Sequence, residues 1–223
     1  MDTEFHKSLA LHWRETLRLD PEAIFGSEAK RLLNRNWGDR VPQPGYVGIN
    51  YRPGGLVFVS MNPGGGPLEG LGQEDLKMYA ALQRLRDCNT AQASKSFAGL
   101  SGLLHEVMQT WKIYKVFVAP VLEYSGNEFS NTAYLNLLKW RTQKSSGLRT
   151  LYKLSWENHT RQQLELLQPS VVVAIGTDAG REFRRYYTND IQFQAIPRVI
   201  GNNIGQPGRE ALAEIKKWYE GGG

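Results

Sequence analysis

Two unbroken apolar runs dominate the pattern of hydrophobic and polar residues along the chain. Residues 56–61 (LVFVSM) and 171–175 (VVVAI) contain almost no polar side chain, and asparagine or glycine follows each run directly. A half-exposed strand alternates apolar with polar residues, whereas a strand that is covered on both faces does not. The pattern therefore predicts two interior strands of a mainly parallel sheet, each leading into a loop at its carboxyl end.

Amphipathic spacing predicts helices around these strands. The first apolar residues, from Phe5 to Leu17, recur every four positions, and Asp20-Pro21 has the N-cap and first-turn form of a second helix. Helical periodicity predicts further helices at residues 74–87, 102–111, 162–167, 180–187 and 209–219.

Three remaining segments complete the predicted sheet. Residues 115–122 and 193–196 are predicted strands, whereas residues 133–140 fit either a strand or a short helix by pattern. Strands that alternate with helices are typical of a parallel sheet with helices on its faces. The expected fold is one α/β domain over residues 1–223, with a central, mainly parallel sheet flanked by helices.

Composition narrows the class of protein. Lys and Arg outnumber Asp and Glu by 27 to 22, and the pI is near 9.3, which favours a polyanionic partner. Cys88 is the single cysteine, so the chain cannot form an intrachain disulfide or a cysteine-bound metal cluster. No signal peptide and no apolar run of membrane-spanning length are evident. We therefore expect a cytoplasmic protein without a membrane association.

The first predicted strand ends in a segment suited to ligand binding. Ser60-Met61-Asn62 is followed by Pro63-Gly64-Gly65, where proline stiffens the turn and the glycines allow close approach of the backbone. Ligands of open parallel sheets bind beyond the carboxyl ends of the strands. The alternative is an ordinary tight turn between a strand and a helix.

A buried strand that ends in Met-Asn-Pro-Gly resembles the first active-site motif of the uracil-DNA glycosylase superfamily, in its mismatch-specific and single-strand-selective branches. The resemblance implies that Asn62 orients the water that attacks the sugar. It also implies that Met61, Pro63, Gly64 and Gly65 contact the substrate.

Two later segments extend the resemblance. Residues 163–176 resemble the helix, proline and strand that precede the last third of the thermostable branch. Residues 134–141 resemble the segment whose asparagine reads the edge of the flipped base, which implies that role for Asn136 and a DNA contact for Arg141. A competing alignment places residues 116–120 there and leaves no asparagine. Trp140 stands near the place of a cluster-binding cysteine, so no iron–sulfur cluster and no other cofactor are expected.

The family's late motif departs most from its usual form. Its histidine, which stabilises charge on the departing base, corresponds to Ile196, and an isoleucine cannot donate a hydrogen bond. Arg198 is the candidate for that catalytic task, or else a surface residue, and Val199 or Ile200 is the candidate wedge in the DNA stack. The four histidines have no metal-ligand spacing, so no metal site is predicted.

These features together predict a DNA glycosylase that flips out one base and hydrolyses its N-glycosidic bond. Gly64 stands where the uracil-selective branch has a tyrosine that blocks the C5 position. The predicted substrate is therefore a pyrimidine modified at C5, such as a hydroxymethylated or glucosylated cytosine of phage DNA, and the predicted role is antiviral defence. The alternatives are uracil or mismatch repair, an inactive DNA-binding module of the same fold, and an unrelated nucleotide-binding α/β enzyme. The expected partner is single- or double-stranded DNA, and the expected state is a monomer.

Overall fold

A mixed β-sheet forms the centre of the molecule, as described in a computed structural model that covers residues 3–32, 41–63, 73–142 and 148–220. Five strands are described, and in chain order they are β1 (Tyr46–Val47), β2 (Leu56–Ser60), β3 (Ala133–Asn136), β4 (Val171–Ile175) and β5 (Gln192–Ile196). Side by side in the sheet they lie in the order β1-β3-β2-β4-β5. Only β1 is antiparallel to its neighbour, so the sheet is mainly parallel, as the sequence predicts.

The two apolar runs are the interior strands β2 and β4. Every residue of β2 is buried, and β2 pairs in parallel with β3 on one side and with β4 on the other. The segment that fits either a strand or a helix is a strand at Ala133–Asn136, whose last residue lies opposite Ser60. The carboxyl ends of β2 and β3 therefore meet at one edge of the sheet.

Helices cover both faces of this sheet. In chain order the described α-helices are α1 (Thr3–Leu17), α2 (Pro21–Phe25), α3 (Ser27–Leu32), α4 (Gln73–Asp87), α5 (Ala93–Thr110), α6 (Ala119–Ser125), α7 (Arg149–Ser155), α8 (Arg161–Leu167), α9 (Thr177–Tyr186) and α10 (Gln206–Glu220). Asp20 caps α2 by accepting a hydrogen bond from the Glu22 backbone N–H, as its sequence predicts. No helix of the described part of the chain is long and apolar enough to cross a bilayer.

The predicted strand at residues 115–122 is wrong, because this segment is helical. A π-helical turn at Tyr114–Val118 leads directly into α6. The buried residues Phe117, Val118, Val121 and Leu122 recur at the three-to-four-residue spacing of one helical face, and Pro120 lies in the first turn of α6, where its missing N–H costs nothing. The helical spacing of the apolar residues therefore indicates the structure better than their β-branched side chains do. The helical structure also rules out residues 116–120 as a strand, which the competing alignment required.

Candidate functional site

A cavity of about 380 Å³ lies where β2 and β3 end, within the ~300–1,000 Å³ range typical of small-molecule sites. The lining includes the polar side chains of Ser60, Asn62, Tyr134 and Asn136, which we call the polar wall. It also includes apolar residues of α4 and α5 and of the turn that follows α5: Met78, Leu82, Leu104, Met108, Trp111 and Ile113. A cavity lined by both polar and apolar side chains suits a flat ring that carries hydrogen-bonding groups on its edge.

Asn62 presents a hydrogen-bond acceptor to this cavity. Its amide Nδ2 donates to the Thr142 hydroxyl at 3.1 Å and to the Pro63 carbonyl at 3.3 Å. Because a carbonyl oxygen can only accept, the contact with Pro63 fixes which end of the amide carries the nitrogen. Within the described part of the chain no group donates to Asn62 Oδ1, so this oxygen can accept a hydrogen bond from a ligand or a water.

Asn136 presents hydrogen-bond donors to the same cavity. The Ser60 hydroxyl donates to Asn136 Oδ1 at 2.5 Å, and the described residues supply no partner for Nδ2. Burial raises the pKa of Tyr134 to about 12, although a hydrogen bond with Ser60 and the charge of Arg198 act to lower it. The phenol therefore keeps its proton at neutral pH. Asn136 therefore has its amide oxygen engaged and its N–H donors ready for a ligand.

All the described charged side chains of the cavity lining are positive. Lys112, Arg141 and Arg198 line it, and no aspartate or glutamate is among the described lining residues. Lys112 and Arg198 are exposed at the rim, and Arg141 is partly buried. A lining whose described charges are all positive favours an anionic ligand, or a ligand on which negative charge develops.

A tight hairpin, residues 198–203, stands beside the cavity. Val199 and Asn203 pair across it, and the two residues at its turn, Gly201 and Asn202, have φ values of 75° and 56°. Such a turn needs residues that tolerate the left-handed region, and glycine and asparagine do so best. The Ile200 side chain precedes the turn and is 96% exposed, while that of Val199 is 52% exposed.

Contacts on both sides attach this hairpin to the cavity. Arg198 donates from Nη1 to Asn202 Oδ1 at 2.9 Å, and its side chain lies over Gly176 at the end of β4. Lys112, which follows α5, donates from Nζ to Asn203 Oδ1 at 2.6 Å. The hairpin is therefore held at its base, whereas its apolar tip has no cover within the described part of the chain.

The structure brings half of the ten sequence-predicted site residues together. Asn62, Pro63, Asn136, Arg141 and Arg198 line the same cavity. Their roles in binding or catalysis remain predictions, since lining a cavity does not establish a function.

Five of the predicted site residues are not among the described residues that line the cavity. Met61 is not part of the described cavity lining, because its side chain packs against the core and its carbonyl accepts a hydrogen bond from the Leu138 N–H. Val199 and Ile200 belong to the hairpin and do not line the cavity. Gly64 and Gly65 lie outside the described residues.

Two residues that stand where the sequence departs from the motifs it resembles are core residues. Ile196 is fully buried at the end of β5, and Trp140 packs edge-on against Phe25 with the ring centres 5.1 Å apart. None of the four histidines lines the cavity, and the described residues contain no cluster of three or more His, Cys, Asp or Glu that could hold a metal ion.

Several lining residues were not found from the sequence. Ser60 and Tyr134 belong to segments that the sequence analysis singled out, but neither residue was itself predicted to be in the site, and Trp111 and Lys112 stand at the end of a predicted helix. The strip formed by Gln43, Pro44 and Gly45 precedes any predicted element, although its Pro-Gly pair is a turn signal.

Comparison of the chain with protein-family models and with curated proteins found no relative. No protein-family model matches the chain, and no curated protein matches it either.

Proposed function

We propose that this protein is a DNA glycosylase that hydrolyses the N-glycosidic bond of a flipped-out pyrimidine. The observation that carries the proposal is the convergence of Asn62, Asn136 and Arg198 on one cavity whose described charges are all positive. A base inside duplex DNA is inaccessible, so the nucleotide must leave the stack to enter such a cavity.

Asn62 supplies the group that orients the attacking water. An amide cannot take a proton at neutral pH, so Asn62 Oδ1 acts by accepting a hydrogen bond from the water and aiming its lone pair at the sugar carbon. The bond between that carbon and the base nitrogen breaks with its electron pair going to the base. The water oxygen then bonds to the sugar carbon, and the proton that the water releases neutralises the departing base.

Arg198 stabilises the negative charge that develops on the departing base. Its guanidinium lies at the rim and donates to Asn202 at 2.9 Å, so it is oriented before a substrate arrives. Ile196 contributes no such group because its side chain is buried in the core.

Asn136 reads the edge of the base. With Oδ1 engaged by Ser60, its free N–H donors face an acceptor, which is a ring nitrogen in cytosine and a carbonyl oxygen in uracil. Its Oδ1 retains a second lone pair, which can accept from the amino group of cytosine or the ring N–H of uracil. The amide therefore fits the edge of either pyrimidine, and the rest of the pocket must determine which base is accepted.

The proposed substrate is a cytosine modified at C5, as in phage DNA, where its removal would act in defence. The sequence supports this through Gly64, which has no side chain to block C5, and through Gly65 and Gly66 behind it. Ile200 at the hairpin tip is the proposed wedge that fills the gap left in the stack, and Lys112 and Arg141 are proposed phosphate contacts.

One observation favours a second candidate, a DNA-binding module without catalysis. The buried Ile196 leaves the family's usual charge-stabilising position apolar, so catalysis depends on Arg198 alone in that part of the site.

A panel of matched DNAs tests these proposals. Each oligonucleotide carries uracil, hydroxymethylcytosine or glucosylated hydroxymethylcytosine at one position, and heating in alkali reveals abasic sites as strand breaks. We expect faster release of a modified cytosine than of uracil. Faster release of uracil would indicate ordinary repair, and tight binding without release from any DNA would favour the binding module.

A further inference from the structure

Lys139 is completely buried directly behind the polar wall. Its side chain has no exposed surface, and it lies in the turn that follows β3. Among the described residues it forms no ion pair with a carboxylate. Burying a cation without a counter-ion costs several kcal/mol, so a lysine here needs an explanation other than stability.

Three acceptors surround the Lys139 ammonium. Nζ donates to the Asn136 backbone carbonyl at 2.7 Å, to Gln163 Oε1 at 2.7 Å and, less closely, to the Pro44 carbonyl at 3.5 Å. A protonated amine has three N–H donors, which match three acceptors, whereas a neutral amine has two donors and a lone pair that would face an oxygen. The cage is therefore complementary to the protonated form.

Two of the three acceptors belong to segments that line the cavity. Asn136 ends β3, and Pro44 lies in the strip of residues 43–45, which also lines the cavity. The Lys139 backbone carbonyl accepts from the Gln43 N–H at 2.7 Å, and Gln163 Nε2 donates to the Pro44 carbonyl at 3.0 Å. The strip lies so close to β3 that a Cβ on Gly45 would overlap the Tyr134 carbonyl oxygen. Lys139 thus joins this strip to the strand end that carries Asn136.

We propose that protonated Lys139 is a positioning residue that clamps residues 43–45 to the end of β3 and so fixes the Asn136 amide for base reading. The identity of the ligand in this statement rests on the proposed function. Loss of the proton removes one of the three contacts and loosens the clamp, which makes the site sensitive to pH.

The surroundings of Lys139 place this sensitivity near neutral pH. Burial lowers the pKa of Lys139 to about 7. Among the described residues, His12 of α1 and His159 of the π-helical turn Trp156–Thr160 are the titratable side chains that the charge of Lys139 affects. Burial, and then the charge of Lys139, lower the pKa of His12 to about 4 and that of His159 to about 3, so both stay neutral from pH 6 to pH 9. Arg141, two residues further along the chain, is a second basic residue in this segment.

Gln163→Glu is the sharpest test, because it places a carboxylate beside Nζ. An opposite charge at this distance raises a lysine pKa by about one unit or more. Base release by the wild type, measured in single turnovers from pH 6 to pH 9, should be fastest with Lys139 protonated and fall as the pH rises through its pKa. In Gln163→Glu the fall should move to higher pH. Lys139→Met should lower the rate about tenfold or more at pH 6, the scale of a lost hydrogen bond from a charged group, and should remove this fall.

NMR follows the same titration without any substrate. Resonances of the Lys139 side chain and of the Asn136 side-chain amide should share one midpoint, which Gln163→Glu raises, and Lys139→Met should leave the Asn136 amide without that titration. Lys153→Met, which removes an exposed lysine of α7, is the matched control and should change neither midpoint nor rate.

The outcomes separate the two proposals. If the Asn136 amide ignores the titration of Lys139, or if Gln163→Glu moves the Lys139 midpoint but not the fall in rate, the clamp is wrong. If no DNA releases a base at any pH while the Asn136 amide follows Lys139, the clamp stands and the glycosylase proposal fails.

Discussion

The polar wall and the hairpin of residues 198–203 border the same cavity but are built in opposite ways. The wall consists of the ends of two interior strands, and Asn136 is only 7% exposed and bonded to Ser60. The hairpin is joined to the fold at its base, and its tip, Ile200, is almost fully exposed. Rigid strand ends suit chemistry that depends on fixed geometry, and an exposed apolar tip suits contact with a large partner. Changes in the wall should therefore alter the chemical step, and changes in the hairpin should alter the engagement of DNA.

The largest effect is expected for Asn62→Ala. Loss of the amide oxygen that aims the water should slow base release by about 10²–10³-fold, the range found when one preorganised polar group is removed from an active site. The affinity for DNA should change by no more than about twofold, because phosphate contacts dominate it. Single-turnover rates and a binding titration on the same oligonucleotide measure the two quantities. Asn62→Asp keeps an acceptor oxygen and should retain more activity, whereas equal activity of Asn62→Ala and the wild type would remove Asn62 from the mechanism.

Arg198→Ala should have the next largest effect, because Arg198 joins the hairpin to the cavity. Loss of its charge should slow base release by about 10–100-fold, as expected for a hydrogen bond to a charged group. Arg161→Ala removes the same charge from an exposed pair with Glu165 on α8 and is the control. Equal rates for the two variants would assign Arg198 to the surface.

Ile200→Ala should have the smallest effect and the most selective one. Without a wedge, the gap in duplex DNA is left unfilled, so release from double-stranded DNA should slow by about tenfold. Unstacking costs a few kcal/mol, and the wedge and the pocket each offset part of that cost. A single strand has no such gap, and its rate should stay within about twofold. An equal loss on both kinds of DNA would contradict the wedge and show that the hairpin shapes the cavity itself.

Much of the fold could be predicted from the sequence because the interior strands have a simple signature. β2 and β4 are apolar along their length, and that pattern identifies a strand covered on both faces. The two-residue β1 has no such signature, since it is too short for any periodicity. The strand predicted at residues 115–122 is wrong because its β-branched residues indicate a strand, whereas Phe117, Val118 and Val121 have helical spacing.

The candidate site could be predicted in part from strand ends and in part from the resemblance. Asn62 was found because it directly follows a predicted strand, whereas Asn136 was found because residues 134–141 resemble a base-reading segment. Lys139 and the strip that it holds were missed, since a lysine near a strand end gives no sign in the sequence that tertiary packing will bury it. Trp111 and Lys112 reach the cavity through the packing of α5 against the sheet, which local pattern does not report.

Direct analysis of the products tests the central claim most sharply. DNA with a single glucosylated hydroxymethylcytosine is incubated with the wild type, and mass spectrometry quantifies the free base and the abasic site. We predict equal molar amounts of the two, with both strongly reduced for Asn62→Ala prepared in the same way. Intact DNA after incubation with the wild type, or equal release by the wild type and Asn62→Ala, would contradict the assignment of this cavity as a base-excision site.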